Sequence, residues 1–193
     1  MNASSDMCSF LFIRHGETIA NRMQVASGGD SESALTEFGR NQIFQATDVL
    51  RQIGEAPDTI ICSTNQRSIE TAEILCEAFK GQITSFPLLR ERKLGVWNNQ
   101  SSDVVNPLLM AGETPENGES KDEFRSRFLL GLNQVHDLLL NHRSIIVGSR
   151  GTARILLEMA DDDDAANFPN GRMLRVSLVQ SDQFELAGID YIG

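Results

Sequence analysis

An arginine and a histidine follow an apolar run near the start of the chain, in the stretch FIRHGET at residues 12–18. His15 is one of three histidines in the sequence, and a neutral imidazole is a good nucleophile near pH 7. A lone histidine can equally be a buried residue of the core. The position of His15 between Arg14 and Gly16, at the end of a strand-like run, favours a functional role.

Two further arginines follow apolar runs in the same way. Arg67 comes shortly after DTIICS at residues 58–63, and Arg150 follows SIIVGS at residues 144–149. The segments that carry Arg67 and Gly151 lead into helices, whose first N–H groups have no partner within the helix. A single arginine of this kind is usually a solvated surface charge. Three such arginines together predict a positively charged pocket that suits a phosphate group.

The apolar runs and the helical segments between them predict the elements that must position these side chains. Short, almost wholly apolar segments are typical of strands covered on both faces, and they occupy residues 9–13, 58–63 and 144–148. Further strand candidates lie at residues 83–86 and 175–180. Apolar residues at helical spacing predict helices at residues 36–53, 66–79, 120–141 and 150–159. This alternation predicts an α/β fold, a three-layer α/β/α sandwich with a mostly parallel central sheet. Ligands of such sheets bind beyond the carboxyl ends of the strands.

The domain organisation follows from length and from one irregular stretch. A chain of 193 residues suits a single domain, which we expect to span residues 1–193. Residues 98–118 show no regular period and collect Pro, Gly, Asn and Ser. We therefore predict a long, lid-like excursion there rather than part of the core. Ser120 and Glu123 match a capping box and mark the start of the next helix.

Composition and charge exclude several classes of function. The chain has 17 basic and 27 acidic residues, and its net charge of -10 at pH 7 disfavours nucleic acid and anionic membranes as partners. Three widely separated cysteines predict free thiols. No apolar run approaches the roughly 20 residues that span a bilayer, and we expect a cytoplasmic protein. The acidic run at residues 161–164 could suggest a metal site, but consecutive carboxylates seldom converge, so we predict a solvated turn and no metal.

Several motifs together resemble those of the histidine phosphatase superfamily, the phosphoglycerate mutase-like proteins. RHGET at residues 14–18, with Asn21 shortly after it, closely resembles the signature of that family. The similarity continues in DSESALTEFGRNQ at 30–42, STNQRSIETAEIL at 63–75, LRERKLGVWNN at 89–99 and NGES at 117–120. It therefore extends along nearly the whole chain and implies a phosphoglycerate mutase-like fold.

The resemblance also implies a mechanism and a role for each matching residue. His15 would attack the phosphoryl phosphorus and form a phosphohistidine intermediate, which water then hydrolyses. Glu91 would protonate the leaving group and later activate the water. Arg14, Asn21 and Arg67 would bind the phosphoryl oxygens. This chemistry calls for neither a cofactor nor a metal ion.

One position departs from the family pattern. Where the family has a second histidine, in a Ser-His-Gly segment after a strand, this chain has Ser149, Arg150 and Gly151. An arginine there carries a permanent charge and several donors, so we expect Arg150, with the backbone of Gly151, to bind phosphate. Arginine is also bulkier than histidine and exchanges no proton near neutral pH, which would weaken turnover. Neither His136 nor His142 is placed to substitute.

Two hypotheses of different classes follow from these residues. The first is a phosphomonoester hydrolase that acts through phosphorylated His15 on a small phosphorylated metabolite. The alternative is a catalytically inactive protein on the same fold that binds a phosphate ligand or a partner. A mutase is less well supported, since mutases of this family are generally longer than 193 residues. The 98–118 excursion has no basic residue, which disfavours a heavily phosphorylated substrate, and a homodimer is a further expectation.

Overall fold

Six strands and six helices make up the part of the chain that the structure, a computed structural model, describes: residues 6–162, 168–180 and 184–193. The strands are β1 (Asp6–Arg14), β2 (Thr59–Cys62), β3 (Gln82–Ser85), β4 (Ser144–Gly148), β5 (Met173–Gln180) and β6 (Phe184–Ile192). The helices are α1 (Ile19–Arg22), α2 (Glu37–Gln52), α3 (Gln66–Phe79), α4 (Ser102–Met110), α5 (Lys121–Asn141) and α6 (Arg150–Met159). Short 3-10 helices occupy Pro87–Leu89 and Gly95–Trp97.

The strands form one sheet in the order β3-β2-β4-β1-β5-β6. β3, β2, β4 and β1 run parallel to one another, whereas β5 runs antiparallel to β1 and β6 runs antiparallel to β5. β1 therefore lies beside β4, and β4 lies beside β2, although these strands are far apart in sequence. Their carboxyl ends meet at one edge of the sheet, which is where a ligand is expected to bind.

Both faces of the sheet are covered, as the apolar character of its central strands predicts. On one face Phe10 and Phe12 of β1 pack with the apolar side of α5 and α6. On the other face Leu11 and Ile13 pack with α2 and α3. Alternate residues of a single strand thus serve two core clusters, because successive side chains of a strand point in opposite directions. The three-layer sandwich with a mostly parallel sheet is confirmed.

The starts of two helices follow their capping residues. Thr36 caps α2 by accepting a hydrogen bond from the Gly39 N–H at 2.9 Å. Ser120 and Glu123 form the predicted capping box at the start of α5, in which each side chain accepts a hydrogen bond from the other residue's backbone N–H. Side-chain oxygens here satisfy N–H groups that the helix itself leaves open.

Three elements differ from the sequence-based expectation, and the first is α1, a helix of four residues that was not predicted. Residues 98–118 contain α4, whose Val105 is fully buried beside Ala26 and Leu94, so the expectation that this stretch lacks regular structure is wrong. α4 has only nine residues and contains Pro107, which weakens a periodic signal. The edge strand β6 was not predicted, because the segment FELAGIDYI mixes charged, apolar and glycine residues without strict alternation.

The remaining composition-based predictions have mixed outcomes. Cys8, Cys62 and Cys76 are free thiols. Asp163 and Asp164 of the acidic run lie outside the described residues, so the predicted solvated turn is only partly visible. None of the helices in the described part of the chain has the length and apolar character needed to cross a membrane.

Candidate active site

A cavity of about 280 Å³ lies at the edge of the sheet where β1 and β4 end. The two strand ends are joined there by a hydrogen bond from the His15 N–H to the Gly148 carbonyl, at 3.0 Å. Every residue that the sequence singled out lines this one cavity: Arg14, His15, Asn21, Arg67, Glu91, Arg150 and Gly151. The fold thus brings together side chains from five separate segments of the chain.

His15 is held in one tautomer and is almost completely buried. Its Nδ1 lies 2.8 Å from the Gly16 carbonyl oxygen. A carbonyl only accepts hydrogen bonds, so Nδ1 must carry the proton and Nε2 keeps its lone pair. Burial lowers the pKa of His15 well below its usual value, and the charges of Arg67 and Arg14 lower it further. The imidazole is therefore neutral at pH 7.

Asn170 fixes the backbone at His15 and was missed by the sequence reasoning. Its Nδ2 donates to the His15 carbonyl at 2.9 Å and to Asn21 Oδ1 at 3.3 Å. Asn21 Oδ1 also accepts the Thr18 N–H at 3.1 Å, in the capping box of α1. The dipeptide Asn170-Gly171 is a turn signal, but a turn signal does not say which strand end the turn will reach.

The guanidinium of Arg67 is held by residues 27–31, a segment rich in Gly and Ser. Its Nη2 donates to the Gly28 carbonyl at 3.0 Å, and its Nη1 donates to Ser27 Oγ and to the Ser31 carbonyl, both at 3.3 Å. A Cβ at Gly28 would lie 2.7 Å from the Arg92 carbonyl oxygen, so only glycine fits there. These bonds hold the guanidinium of Arg67, a residue that is only 2% exposed, at the cavity.

Arg14 carries a positive charge that the surrounding protein does not fully balance. Its Nη1 donates to the Phe168 carbonyl, while its buried Nε has no hydrogen-bond partner in the described part of the chain. Burial lowers the pKa of Arg14 to about 9, and the nearby charges of Arg150 and Arg67 act in the same direction, against the opposing effect of Glu91. An anion in the cavity would relieve the repulsion between these guanidinium groups.

Glu91 is anchored by two backbone donors from different segments. Its Oε1 accepts the Arg92 N–H at 2.7 Å, and its Oε2 accepts the Gly151 N–H at 2.8 Å. A Cβ at Gly151 would lie 2.1 Å from Oε1, so the approach of this carboxylate requires glycine. We predicted that Gly151 binds phosphate, and in the structure its N–H is instead directed to Glu91. A role of Gly151 in phosphate binding stays a prediction.

Arg150 occupies the first position of α6 and reaches across the cavity. Its Nη2 donates to Asn106 Oδ1 of α4 at 2.6 Å, and the residue is exposed. The excursion at residues 98–118 thereby contacts the residue that replaces the family's second histidine. Neither of the other histidines lines the cavity: His136 is buried within α5, and His142 Nδ1 lies 3.7 Å from Asp58.

Comparisons with known proteins agree with this geometry. Residues 10–185 match the family model of the histidine phosphatase superfamily, branch 1. A probable phosphoglycerate mutase GpmB of Erwinia tasmaniensis is 32% identical over 158 residues, which are 76% of this chain and 71% of the relative. Fructose-2,6-bisphosphatase TIGAR B of Danio rerio is 28% identical over 185 residues, 86% of this chain and 71% of the relative.

Solved structures share the fold at lower identity. A mycobacterial glucosyl-3-phosphoglycerate phosphatase superposes with a TM-score of 0.77 at 19% identity, covering 96% of this chain and 98% of that one. YhfR of Bacillus stearothermophilus superposes with a TM-score of 0.76 at 22% identity, covering 93% and 95%. The phosphoglycerate mutase-like fold is therefore confirmed. Because the family model matches residues 10–185, most of the chain, this protein belongs to the histidine phosphatase superfamily.

Proposed function

We propose that the protein hydrolyses phosphomonoesters of small metabolites through a phosphohistidine intermediate on His15. The observation that carries this proposal is a buried, neutral imidazole with its Nε2 lone pair available, in one cavity with Arg14, Arg67 and an anchored Glu91. A nucleophile, a cationic site for the phosphoryl oxygens and a positioned carboxyl group are the parts that such a reaction needs.

The reaction has two steps that use the same residues. In the first, a bond forms between His15 Nε2 and phosphorus, the bond from phosphorus to the ester oxygen breaks, and protonated Glu91 gives its proton to that oxygen. In the second, a water attacks the phosphorus and passes a proton to Glu91, the phosphorus–nitrogen bond breaks, and inorganic phosphate leaves. The guanidinium groups of Arg14 and Arg67 stabilise the charge on the phosphoryl oxygens in both steps.

Arg150 takes the place of the second histidine as a donor to the phosphoryl oxygens. It lines the cavity, its charge acts on Arg14, and its contact with Asn106 engages one of its five N–H donors. The inactive alternative would keep the cationic groups, but anion binding alone requires neither a neutral imidazole nor a carboxylate anchored by two N–H groups. The site therefore supports the enzyme better than the binder.

Hydrolysis of 4-nitrophenyl phosphate by purified protein tests the proposal. We expect measurable release of 4-nitrophenol, a loss of at least about 10²-fold in kcat on His15→Ala, and an acid-labile phosphate on the peptide that contains His15. His142→Ala is the matched control, because His142 is a half-exposed histidine beside Asp58, outside the cavity. This variant should keep the wild-type rate.

The same assay separates the enzyme from the inactive binder. Arg150→His restores the family pattern and should change kcat, while the wild-type protein already turns over. If the wild-type protein shows no turnover that depends on His15, and only Arg150→His is active, the chain is a phosphate-binding protein and the proposed hydrolase is wrong.

A further inference from the structure

The turn that precedes β5 contacts the backbone on either side of the proposed nucleophile. The Gly171 N–H donates to the Arg14 carbonyl, and the Arg14 N–H donates to the Arg172 carbonyl, each at 3.0 Å. Next to them, Asn170 Nδ2 donates to the His15 carbonyl at 2.9 Å. Gly171 has a φ of +74°, a conformation that favours glycine, so this Asn-Gly turn is suited to bring the Asn170 side chain to His15.

The orientation of the Asn21 amide follows from the groups that surround it. The Thr18 N–H can only donate, so the atom 3.1 Å from it must be the oxygen Oδ1 of Asn21. The Asn170 atom that lies 3.3 Å from this oxygen and 2.9 Å from the His15 carbonyl must in turn be the donor Nδ2. Asn21 Oδ1 thus accepts two hydrogen bonds, which occupies both of its lone pairs.

The nitrogen end of the Asn21 amide is left for a ligand. Asn21 lines the cavity, whereas Asn170 does not. With Oδ1 bound to the chain, Nδ2 is the end of the Asn21 amide that has donors to offer to a phosphoryl oxygen. A rotated amide would instead place its oxygen, an acceptor, beside an anion. Asn170 therefore selects the orientation in which Asn21 presents N–H groups.

The same nitrogen of Asn170 also lies 3.5 Å from Nδ1 of His15. Nδ1 carries the proton that it donates to the Gly16 carbonyl, so two donor nitrogens are neighbours and no hydrogen bond joins them. A second proton on the imidazole would add a full positive charge beside the positive end of the Asn170 amide, which is unfavourable. The amide thus acts in the same direction as the charges of Arg67 and Arg14, which lower the pKa of His15.

We propose that Asn170 is a positioning residue of the reaction, which directs the N–H donors of Asn21 to the phosphoryl group and favours the neutral imidazole of His15. The inference rests on the proposed function in placing the phosphoryl group at His15. Asn170 acts through these two side chains, because it does not itself line the cavity. An aspartate has nearly the same shape but presents acceptors where Asn170 presents a donor, so it should reverse both effects.

The affinity for inorganic phosphate, measured by calorimetry, tests the effect on Asn21. Asn170→Ala should bind phosphate about tenfold more weakly than the wild-type protein, as expected for the loss of a hydrogen bond to a charged group. Asn21→Ala should show a similar loss, and the double variant should bind no more weakly than either single variant, because both changes remove one interaction. Losses that add in the double variant, or an unchanged affinity in Asn170→Ala, would overturn this effect.

Asn141→Ala is the matched control for phosphate binding. Asn141 is exposed at the end of α5 and lies outside the cavity, and its Nδ2 likewise donates to a backbone carbonyl, that of Asp137 at 2.8 Å. This variant should bind phosphate with the wild-type affinity.

Titration of the imidazole signals by NMR tests the effect on His15. Asn170→Asp places a carboxylate beside Nδ1, which favours the charged imidazole, so the His15 signals should titrate at a higher pH than in the wild-type protein. The charges of Arg67 and Arg14, which also act on His15, are the same in both proteins. Asn141→Asp adds the same charge outside the cavity and should leave the His15 titration unchanged. An equal titration of His15 in the wild-type protein and Asn170→Asp would overturn the effect on the imidazole.

The pH profile of kcat/KM for 4-nitrophenyl phosphate gives the catalytic counterpart. The acidic limb of the profile should move to higher pH in Asn170→Asp and should stay in place in Asn141→Asp. Calorimetry and NMR need no turnover. If both give the expected results in a protein without hydrolysis that depends on His15, the role of Asn170 in the pocket stands and the proposed hydrolase is wrong.

Discussion

Glu91 and Gly151 depend on each other at the level of single atoms. The carboxylate of Glu91 accepts one N–H from its own chain neighbour and one from Gly151 at the start of α6, so it is fixed from two sides. That approach is open only because Gly151 has no side chain. The general acid of the proposed reaction is therefore positioned by a residue that itself contributes no side chain to the chemistry.

Substitution of Gly151 by alanine should separate catalysis from phosphate binding. The new Cβ would lie 2.1 Å from Glu91 Oε1, which displaces the carboxylate but leaves Arg14 and Arg67 in place. We expect kcat for phenyl phosphate, whose leaving group needs a proton, to fall by about 10²-fold, the contribution typical of a general acid. The inhibition constant of inorganic phosphate should change by less than about threefold.

Gly188→Ala is the matched control for this substitution. A Cβ at Gly188 in β6 meets no atom of the described chain within 4 Å, so kcat should stay at the wild-type value. An unchanged kcat in Gly151→Ala would mean that Glu91 is not the general acid.

At the scale of elements, α5 holds the segment that carries Glu91. Arg127 of α5 donates to the backbone carbonyls of Leu88, Arg90 and Glu91 at 2.7–3.0 Å. The same guanidinium donates from two nitrogens, each at 2.7 Å, to the largely buried carboxylate of Glu119. Burial raises the pKa of Glu119, but the hydrogen bonds from Arg127 and from the Lys93 N–H outweigh it and keep that pKa below its usual value.

The hydrogen bonds of Arg127 to residues 88–91 and to Glu119 form a clamp, and its removal should lower both stability and activity. Arg127→Met leaves the Glu119 carboxylate without its buried partner, so we expect the free energy of unfolding to fall by about 3 kcal/mol. The loss of a donor to the Glu91 carbonyl should lower kcat as well. Urea unfolding and the aryl phosphate assay measure the two effects.

A double variant and an exposed arginine serve as controls for the clamp. Arg127→Met/Glu119→Gln should regain part of the stability but none of the activity, because the Glu91 carbonyl still lacks its donor. Arg51→Met removes an arginine that is 50% exposed and paired with Asp48, and it should cost less than about 1 kcal/mol. A similar loss in Arg51→Met and Arg127→Met would contradict a special role of the clamp.

The sequence predicted those elements whose signal is local and regular. The starts of α2 and α5 are marked by Thr36 and Ser120, and the central strands are marked by their apolar runs. Arg14, His15, Arg67 and Arg150 were found because each follows such a strand. α4 and β6 were missed because their patterns are short or mixed.

Contacts between residues that are far apart in sequence could not be predicted either. Asn170 reaches His15 across a separation of 155 residues, and the 27–31 segment reaches Arg67 across up to 40 residues. The residues next to such a side chain or carbonyl in the sequence do not show which distant residue it will contact. Only the assembled sheet, with β1 beside β4, brings them together.

At the scale of the whole molecule, charge is distributed unevenly. The chain has a net charge of -10, and yet its cavity is lined mainly by cationic side chains. The absence of nucleic-acid partners stays a prediction made from this net charge, and the positive charge of the cavity favours small anions. A protonated His15 would be unfavourable here, because the side chain is buried and lies near the charges of Arg67 and Arg14.

The burial of neutral His15 should make the stability of the whole protein depend on pH. In the unfolded chain this histidine takes up a proton below about pH 6.5, whereas in the folded protein its pKa lies well below that value. The unfolded state therefore binds more protons as the pH falls from about 6.5, and the free energy of unfolding decreases. The slope from this one group approaches about 1.4 kcal/mol per pH unit. Above pH 6.5 the contribution is constant, since both states are then neutral.

His15→Gln removes this proton uptake and should flatten the dependence. Urea unfolding at intervals from pH 7.5 to 5 would measure it, and the wild-type protein should lose stability more steeply than the variant below pH 6.5, with parallel curves above that pH. Inorganic phosphate should stabilise the wild-type protein throughout this range, because it binds the folded state alone. Identical slopes for the two proteins below pH 6.5 would mean that His15 takes up its proton equally easily in the folded protein, and that burial does not lower its pKa.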